Sequence, residues 1–391
     1  MDLLRALGIL LSVAVVLTVN VAAHLYLYRR LIRAHTSRRA LRRAGAVGLS
    51  ALGLLMVAGP AGQHAAPGSL TTLLAKAAFL WMGVGFYLLV TLGALDLGGL
   101  LGRLVRRAAK PQPGAGPSDP GRRQFLAQGG LLGVAVAVPT SGYGWWRAFA
   151  PPQVTETTIA LAGLPRALSG LTIAHLTDIH AGGWVDRDFI AELVERTNAL
   201  RPDLVAITGD LVDGSVERLA EVVAPLGSLR SRLGTFFVLG NHEYYSGAGP
   251  WTALLRSMGM KVLLNETASL EGLDIVGVGD WSMRKRGDAS GYDLEAALAG
   301  RAPGAPAILL AHQPRGFEQA IEREIGLQLS GHTHGGQIWP WTFAVKLAYH
   351  PYCAGLYRVG DRALYVSRGC GFWGPPARVG APPEIARIVL V

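Results

Sequence analysis

Charged side chains are scarce in this sequence. Asp, Glu, Lys and Arg make up 16% of its 391 residues, whereas 50% of the residues are hydrophobic. A soluble domain has about 25% charged residues. The composition therefore argues against a protein that lies wholly in the cytosol.

Acidic residues are nearly missing from the first part of the chain. Residues 1–150 contain 16 Lys and Arg but only 3 Asp and Glu, and the remaining residues contain 21 and 24. The excess of positive charge thus belongs to residues 1–150, where the arginines lie between apolar runs. A nucleic-acid-binding protein is expected to carry its basic patch on the folded domain. We therefore expect no nucleic-acid partner.

Cysteine is rare as well. Cys353 and Cys370 are the only two, so at most one disulfide can form. Two free, buried thiols are the alternative, because the sequence does not give the separation of the two side chains in space.

Four stretches without a formal charge indicate that residues 1–150 form a membrane region. They cover residues 6–28, 44–63, 77–95 and 124–146. About 20 residues of helix cross the hydrocarbon core of a bilayer. For the second and fourth stretches a buried core helix is the alternative, because Gly and Ala dominate one and Pro139 interrupts the other.

Basic loops predict the orientation of this region. Seven arginines lie between the first two stretches, and six Lys or Arg lie between the third and fourth. Basic loops of membrane proteins face the cytoplasm. An even number of spans then places everything after Trp146 on the outer side. We expect a multi-pass protein of the bacterial cytoplasmic membrane, in contact with membrane lipids, whose large carboxy-terminal domain is extracytoplasmic.

The segment 121–140 resembles a twin-arginine export signal. Arg122 and Arg123 are followed by Q-F-L and an apolar run, although Gly121 stands where Ser or Thr is usual. The positive flank of an ordinary membrane span is the alternative. Residues 135–137, A-V-A, have the small side chains that signal peptidases prefer, but we expect the span to be retained as an anchor.

From about Val154 the pattern changes to short aliphatic runs that alternate with amphipathic stretches, as in α/β domains. The predicted strands cover residues 171–176, 204–208, 235–239, 273–278, 307–311, 327–330, 363–367 and 386–391. The predicted helices cover residues 186–200, 216–229, 251–258, 293–298 and 316–324. Residues 154–391 are therefore predicted to form one α/β domain.

Polar side chains with metal-binding chemistry follow five of these strands. They are Asp178 and His180, Asp210, Asn241 and His242, His312, and His332 and His334. Loops at one edge of a sheet can bring such side chains together, and alternate residues of an extended strand point the same way. Carboxylate, imidazole and amide ligands suit Mn²⁺, Fe²⁺ or Zn²⁺.

Each of these clusters alone has an ordinary explanation. Gly-Asp is usually a turn, and a lone histidine such as His312 is more often a core or surface residue than a ligand. Five of the ten histidines fall within the clusters, however, and unrelated turns do not explain their order along the chain.

In this order, the motifs D-x-H, G-D, G-N-H-E, a lone histidine and G-H-T-H resemble those of the calcineurin-like metallophosphoesterase superfamily. The membrane-anchored bacterial branch is most similar. The resemblance covers residues 154–391, and only Glu243, often Asp in relatives, departs from the pattern. It implies a two-layer β sandwich flanked by helices, with a site for two divalent metal ions.

The same resemblance implies a role for each site residue. One ion would be held by Asp178, His180 and His334, the other by Asn241, His312 and His332, and Asp210 would bridge them. His242 would stabilise the transition state or protonate the leaving oxygen. Two divalent ions about 3.5 to 4 Å apart lower the pKa of water and neutralise phosphoryl oxygens, which agrees with this assignment.

The roles of two acidic residues near these motifs can be interpreted in two ways. Asp213 and Glu243 could orient the imidazoles of the site. Ordinary solvated carboxylates are the alternative.

The substrate is indicated only by a few side chains and by location. Trp281, Arg284, Lys285 and Arg286 form one loop, and Trp339, Trp341, Phe372 and Trp373 follow later. A phosphate-bearing lipid headgroup would suit them. A basic surface loop together with core aromatics is the alternative.

The sequence thus predicts a metal-dependent phosphoesterase. It would hydrolyse a phosphodiester, pyrophosphate or monoester bond of a membrane or envelope compound. A lipid-linked compound is one such substrate. A phosphomonoesterase of broad specificity is one alternative. A metal-loaded scaffold or binding protein without turnover is another, and His242 argues against it because a scaffold has no need of that side chain.

Overall fold

The structure, a computed structural model, describes residues 3–66, 68–108, 120–286, 290–301 and 304–391. It consists of two compact units, Met1–Tyr143 and Gly144–Val391. The division falls within one helix, which connects the units covalently.

The first unit contains long helices. They are α1 (Leu3–Leu27), which continues as a π-helical turn over Tyr28–Arg33, α2 (Arg39–Ala65), α3 (Ser69–Ala108) and α4 (Pro120–Phe149), whose last turns belong to the second unit. In the described part of the chain, three segments are long and apolar enough to cross a membrane: Leu10–Arg33, Arg39–Gln63 and Ser69–Val105.

The fourth predicted span is described only in part. Residues 124–146 are helical, but α4 is not among the three membrane-spanning candidates found in the described residues. The side chains of residues 121–127, and with them the twin-arginine motif, lie outside the described residues. The count of four spans, and the orientation derived from it, therefore stay predictions.

A polar network accompanies the charged residues of the first unit. The Arg30 Nε atom lies 3.2 Å from the Asp96 carboxylate, and the Tyr26 hydroxyl donates to the same carboxylate at 2.7 Å. Ionisable groups within membrane helices are usually paired in this way.

The second unit is built from two six-stranded sheets. Its strands are β1 (Gln153–Ile159), β2 (Thr172–Leu176), β3 (Leu204–Ile207), β4 (Thr235–Phe237), β5 (Lys261–Val262), β6 (Glu266–Leu270), β7 (Leu273–Gly277), β8 (Ala307–Leu310), β9 (Leu327–Ser330), β10 (Gly355–Val359), β11 (Arg362–Val366) and β12 (Glu384–Leu390). The strand order is β1-β12-β2-β3-β4-β5 in one sheet and β10-β11-β9-β8-β7-β6 in the other.

Besides the last turns of α4, the described residues of the second unit include seven α-helices. They are α5 (Arg187–Ala199), α6 (Val216–Val223), α7 (Asn241–Ser246), α8 (Ala248–Ser257), α9 (Leu294–Leu298), α10 (Phe317–Glu322) and α11 (Thr342–Ala348). Side chains of both sheets, such as Phe236 and Ile308, form the core between them. α5, α6 and α8 share a second core with the first sheet, and α9 and α10 share a third with the second sheet. The predicted α/β sandwich flanked by helices is confirmed.

The predicted elements need few corrections. All eight predicted strands are present within two residues of their predicted bounds, but β1, β5, β6 and β10 were not predicted. The helix predicted over residues 216–229 ends at Val223 and continues as a 3₁₀ turn, Ala224–Ser228. Pro225 lies in this turn, and proline has no N–H group with which to continue an α-helix.

Both cysteines are free thiols in the structure. Cys353 and Cys370 are buried and unpaired, so the second of the two alternatives applies. Burial raises the pKa of Cys370 to about 12, and this thiol is therefore unreactive near neutral pH.

Candidate metal centre

The candidate site lies where strands of both sheets end. β2, β3 and β4 are parallel neighbours in the first sheet, and β8 and β9 are parallel neighbours in the second. Each is followed by one of the polar clusters identified from the sequence. The structure brings together all eight of the predicted site residues: Asp178, His180, Asp210, Asn241, His242, His312, His332 and His334.

One group of potential metal ligands combines loops from both sheets. Ligand atoms of Asp178, His180 and His334 lie within 4.8 Å of one another. The His334 Nε2 atom is 3.3 Å from an Asp178 oxygen and 3.2 Å from His180 Nε2. Imidazole nitrogens and a carboxylate converging at this distance form a site that a divalent ion fits.

A second group lies beside the first. Asp210, His312 and His332 again have ligand atoms within 4.8 Å of one another. His312 Nε2 is 3.1 Å from an Asp210 oxygen and 3.0 Å from His332 Nδ1. The Asn241 Oδ1 atom is buried and has no hydrogen-bond partner among the described residues. A buried polar atom without a partner is unfavourable, and a cation would satisfy it.

Asp210 lies between the two groups. The same carboxylate oxygen is 3.1 Å from His312 Nε2 and 3.8 Å from His180 Nε2. A carboxylate in this position can contribute to two ions at once.

Hydrogen bonds at the far side of two rings determine which nitrogen faces the site. The carbonyl oxygen of Thr208 accepts a bond from His312 Nδ1 at 2.7 Å. Asp213 accepts a bond from His180 Nδ1 at 3.0 Å. In both rings Nδ1 therefore carries a proton and Nε2 faces the site, which is the orientation that metal binding requires.

The electrostatics of the site attract positive charge. Burial alone would lower the pKa of His180, but Asp213 and Asp210 raise it to about 9. Burial and the neighbouring His312 lower the pKa of His332 to about 3, so this ring is neutral at pH 7. The potential ligands thus include negatively charged carboxylates and a neutral imidazole. This combination fits divalent metal ions.

His242 differs from the other histidines because its ring is partly exposed. Its Nδ1 atom lies 2.6 Å from the Asp213 carboxylate, and its Nε2 atom lies 3.9 Å from the Asp210 carboxylate. Asp213 therefore contacts both His180 and His242. The imidazoles lower the pKa of Asp213 below its usual range although burial alone would raise it. It orients two rings, although its own side chain is 33% exposed.

Glu243 has neither of the roles considered from the sequence. It is fully buried, and its carboxylate accepts bonds from the backbone N–H groups of Gly240, Asp210, Leu211 and Val212. No imidazole is among these partners. Burial and the repulsion by Asp210 raise the pKa of Glu243 to about 7. Glu243 fixes the backbone on which Asp210 is placed.

The backbone of the site is strained. Asp178, His180, Asp210, His332 and His334 all have φ between +50° and +71°. This left-handed region costs a residue other than glycine about 1 kcal/mol or more. Such strain is typical of functional sites, because the surrounding structure must hold it in place.

Two glycines allow the loops to approach each other. A Cβ atom on Gly331 would lie 2.2 Å from the Asp178 carboxylate, and one on Gly240 would lie 2.2 Å from the Asp210 carboxylate. The glycines that precede His332 and Asn241 are therefore required by space, which is the physical basis of these motifs.

Arg378 supports the site and was missed in the sequence. Its side chain is completely buried and donates to the carbonyl oxygens of His334, Gly371 and Ala381. Burial lowers the pKa of Arg378 to about 10, so the group stays charged at pH 7. The Arg378 Nη2 atom also lies 3.1 Å from His334 Nδ1. No local sequence pattern marks this arginine, because its other partners are backbone carbonyls.

A cavity of about 640 Å³ opens beside the second ligand group. It is lined by Asn241, Tyr245, Trp281, Ser282, Arg284, Gln313, Arg315, His332 and Tyr349. The Tyr349 hydroxyl lies 2.6 Å from His332 Nε2, and the Arg315 guanidinium lies 4.7 Å from the centre of the Tyr349 ring. The sequence had indicated Trp281 and Arg284 but not Arg315 or Tyr349.

The other residues of the proposed headgroup set have different positions. The side chains of Lys285 and Arg286 lie outside the described residues. Phe372 is a core residue, whereas Trp339, Trp341 and Trp373 are more than half exposed. The core alternative is therefore wrong for these three tryptophans.

The motifs and the geometry agree with comparisons to known proteins. A family model described as calcineurin-like phosphoesterase matches residues 171–336. An uncharacterized metallophosphoesterase of Helicobacter pylori J99 is 42% identical over 278 residues, which is 70% of this chain and 73% of the relative. The chain belongs to the calcineurin-like metallophosphoesterase family. It is therefore a hydrolase that acts on phosphoric ester bonds.

Relatives occur outside bacteria too. A transmembrane protein with a metallophosphoesterase domain from Danio rerio is 38% identical over 324 residues, which is 80% of this chain and 72% of the relative. The comparisons thus do not single out a bacterial branch. They support, together with the three apolar helices, a membrane protein. A dimetal phosphatase structure, also from Danio rerio, is 13% identical over 51% of this chain and 88% of that chain, with a TM-score of 0.36, which is too low to carry a conclusion.

The family and the cluster of His and Asp side chains together support two divalent metal ions. The donor atoms, the unpartnered Asn241 oxygen and the ring orientation that the Nδ1 hydrogen bonds give His180 and His312 fit such ions.

Proposed function

We propose that this chain hydrolyses a phosphoester of a membrane or envelope compound at the outer face of the cytoplasmic membrane. The observation that carries the proposal is the convergence of two adjacent ligand groups on one carboxylate, Asp210. The bond would be a phosphodiester, a pyrophosphate or a monoester.

The residues divide between two ions in this proposal. Asp178, His180 and His334 would hold one ion, Asn241, His312 and His332 would hold the other, and the Asp210 carboxylate would contribute to both. Bound there, Mn²⁺, Zn²⁺ or Fe²⁺ would lower the pKa of a water molecule and neutralise phosphoryl oxygens. All three metals accept these ligands.

His242 is the proposed catalytic residue. Asp213 holds its Nδ1 atom, so that Nε2 faces the Asp210 side of the site. Partial exposure leaves the ring accessible to a substrate. A charged imidazole in this position can donate a hydrogen bond to a phosphoryl oxygen or a proton to the leaving oxygen.

The cavity supports the recognition of an anionic group beyond the reacting phosphate. Arg284 and Arg315 provide cations at its wall, and Trp281, Tyr245 and Tyr349 provide aromatic surface. Arginine suits phosphate because it can donate two parallel hydrogen bonds. A second phosphate or a phosphorylated headgroup matches this lining.

Location supports a substrate in the membrane or envelope. Three apolar helices and relatives named transmembrane proteins indicate attachment to a bilayer. The arginine-rich loops favour an outer position for the catalytic unit. A lipid-linked phosphoester would then be within reach of the site.

Hydrolysis by the purified full-length chain tests the proposal. The chain is stripped of metal, supplied with Mn²⁺, Zn²⁺ or Fe²⁺, and given p-nitrophenyl phosphate, bis(p-nitrophenyl) phosphate or phospholipid vesicles. We expect metal-dependent cleavage, and a loss of more than about 100-fold in Asp210→Asn. Asp361→Asn, a change of an exposed carboxylate, serves as the matched control and should keep full activity.

Each result has a definite meaning. Preference for the bis-ester or lipid supports the proposed substrate class, whereas cleavage of the monoester alone supports the broad phosphomonoesterase. Two tightly bound ions without cleavage of any ester would contradict the proposal and favour the scaffold.

A further inference from the structure

Large apolar side chains are exposed on one segment of the catalytic unit and on a loop beside it. They are Trp339, Trp341, Phe343, Leu347 and Trp373, which we call the aromatic ridge. Their exposed fractions are 52%, 55%, 63%, 82% and 56%. α11, which carries two of them, has no buried residue. This helix therefore contributes nothing to the cores of the unit.

The ridge is one surface and not a set of scattered residues. The Gln337 side chain donates to the Trp373 carbonyl at 2.9 Å and accepts from the Trp373 N–H group at 3.0 Å. These two bonds hold Trp373 beside the segment that begins at Trp339. Single exposed apolar residues are normal on a protein surface, but a contiguous patch marks an interaction site.

The ridge is connected to the end of the helix that joins the two units. The Trp339 N–H group donates to the Val379 carbonyl at 2.8 Å, and the Arg378 N–H group donates to the Gly144 carbonyl at 2.9 Å. Gly144 belongs to the last turns of α4, in which Trp146 and Phe149 are also exposed. Exposed apolar side chains are thus also present on the last turns of α4, within the catalytic unit.

The ridge also borders the metal centre. The Trp373 ring lies 5.9 Å from the His242 ring. Tyr349, the residue after α11, lies with its hydroxyl 2.6 Å from His332 Nε2. A surface that binds the ridge would therefore be next to the entrance of the site.

The composition of the ridge fits a lipid interface. Tryptophan is enriched at the boundary between headgroups and acyl chains, where its ring is apolar and its N–H group can meet water. Lys346 on α11 is exposed and adds positive charge, which is attracted to anionic lipids. The bilayer is already the environment of the chain through its three apolar helices.

We propose that the aromatic ridge inserts into the lipid interface and presents the metal centre to phosphorylated headgroups of the same bilayer. The insertion itself does not depend on catalysis. The headgroup as substrate rests on the proposed function above. The ridge would be a second, interfacial attachment in addition to the membrane-spanning helices.

Fluorescent labels on the full-length chain test the insertion. Because Cys353 and Cys370 are buried, a new surface cysteine can be labelled selectively with an environment-sensitive dye. Phe343→Cys and Leu347→Cys are the ridge positions. Val359→Cys is the matched control, since Val359 is 46% exposed on β10 and is not part of the ridge.

The chain is reconstituted into vesicles of phosphatidylethanolamine and phosphatidylglycerol, with and without lipids that carry a nitroxide on the acyl chain. We expect blue-shifted emission and at least twofold quenching by the nitroxide lipid at both ridge positions, and neither effect at Val359→Cys. Thermal unfolding midpoints equal to that of the parent show that the variants are folded.

Two results would overturn the proposal. One is a label at position 347 that is quenched by aqueous iodide and not by the nitroxide lipid. The other is a blue shift without lipid quenching, which would mean that the ridge is covered by protein, such as a second copy.

The test also separates the two proposals. If the labels are inserted but the chain cleaves no ester, the proposed function fails and the ridge proposal stands. If p-nitrophenyl esters are cleaved but the labels stay in water, the ridge proposal fails and the function stands.

Discussion

Individual residues of the metal centre have separate proposed roles in metal binding, ring orientation and catalysis. Asp213 accepts from both His180 and His242, so one carboxylate positions a proposed ligand and the proposed catalytic ring. His242 itself lies at the exposed edge of the site, and its backbone N–H group donates to Asp210. The side chain can therefore be removed without removing any of the seven proposed ligands.

Replacing His242 by alanine tests this division. We expect His242→Ala to keep both metal ions and to lose about 10²- to 10⁴-fold in kcat, the usual contribution of a general acid or base. Metal content by mass spectrometry and steady-state kinetics check this. Loss of one ion together with activity would show instead that His242 is a ligand.

His175, which is not one of the proposed site residues, makes the free energy of unfolding of the catalytic unit depend on pH. It is fully buried, and its Nε2 atom lies 2.8 Å from the Thr208 hydroxyl. Burial lowers the pKa of His175 to about 4, against about 6.5 in the unfolded chain. Between these values the unfolded state binds more protons. The free energy of unfolding therefore falls by about 3 kcal/mol as the pH drops from 6.5 to 4, and this group has no effect above pH 6.5.

Thermal unfolding of full-length variants checks this dependence of stability on pH. The decrease in midpoint between pH 7 and pH 5 should be smaller in His175→Gln than in the parent. The exposed His350→Gln should match the parent. Identical decreases in all three proteins would contradict the assignment.

At the scale of elements, the loops after β3 and β4 depend on each other. Glu243 in α7 accepts four backbone N–H groups, three of them from residues 210–212. A glutamine offers one oxygen and places N–H donors against these N–H groups. An unsatisfied buried group costs about 1–3 kcal/mol.

We therefore expect Glu243→Gln to lower the free energy of unfolding by about 2 kcal/mol and to weaken metal binding at the Asp210 side. Chemical unfolding and metal titration measure the two effects. Glu266→Gln, a change of an exposed residue on β6, should alter neither. An unchanged stability in Glu243→Gln would show that the four bonds are dispensable.

Elements with a buried, aliphatic pattern could be predicted from the sequence. β3 and β8 are fully buried and are continuous apolar runs. β2 and β9 are also buried, and each contains several aliphatic residues besides one or two polar residues. β1 could not be predicted in this way, because its Thr and Glu side chains are largely exposed and its pairing with β12 is set by distant residues. β5 has only two residues.

Some residues of the site could likewise be predicted from the local sequence, and others could not. Asp178, Asp210, Asn241, His312 and His332 each follow a buried strand, so their convergence could be predicted from strand ends. Arg315, Tyr349 and Arg378 come from short or irregular segments, and their neighbours are decided by the tertiary fold. Glu243 was misread because a glutamate is usually solvated, and only the structure shows the N–H groups around it.

At the scale of the whole molecule, the two parts of the sequence that differ in charge also differ in structure. The basic, apolar part of the sequence supplies long helices, and the part with balanced charge supplies the sandwich with the metal centre. Apolar residues remain exposed in both units, but for different reasons. In the first unit they lie on helices that can face lipid chains, whereas in the second we assign them to a headgroup boundary.

The position of the last strand has a consequence for biosynthesis. β12 lies between β1 and β2, and it pairs with both. A nascent chain that has not yet released residue 390 from the ribosome leaves β1 without its neighbour and exposes the edge of β2. The first sheet can therefore close only after translation has passed β12. By that time the three apolar helices have already been synthesised, so their insertion into the membrane can begin before the catalytic centre assembles.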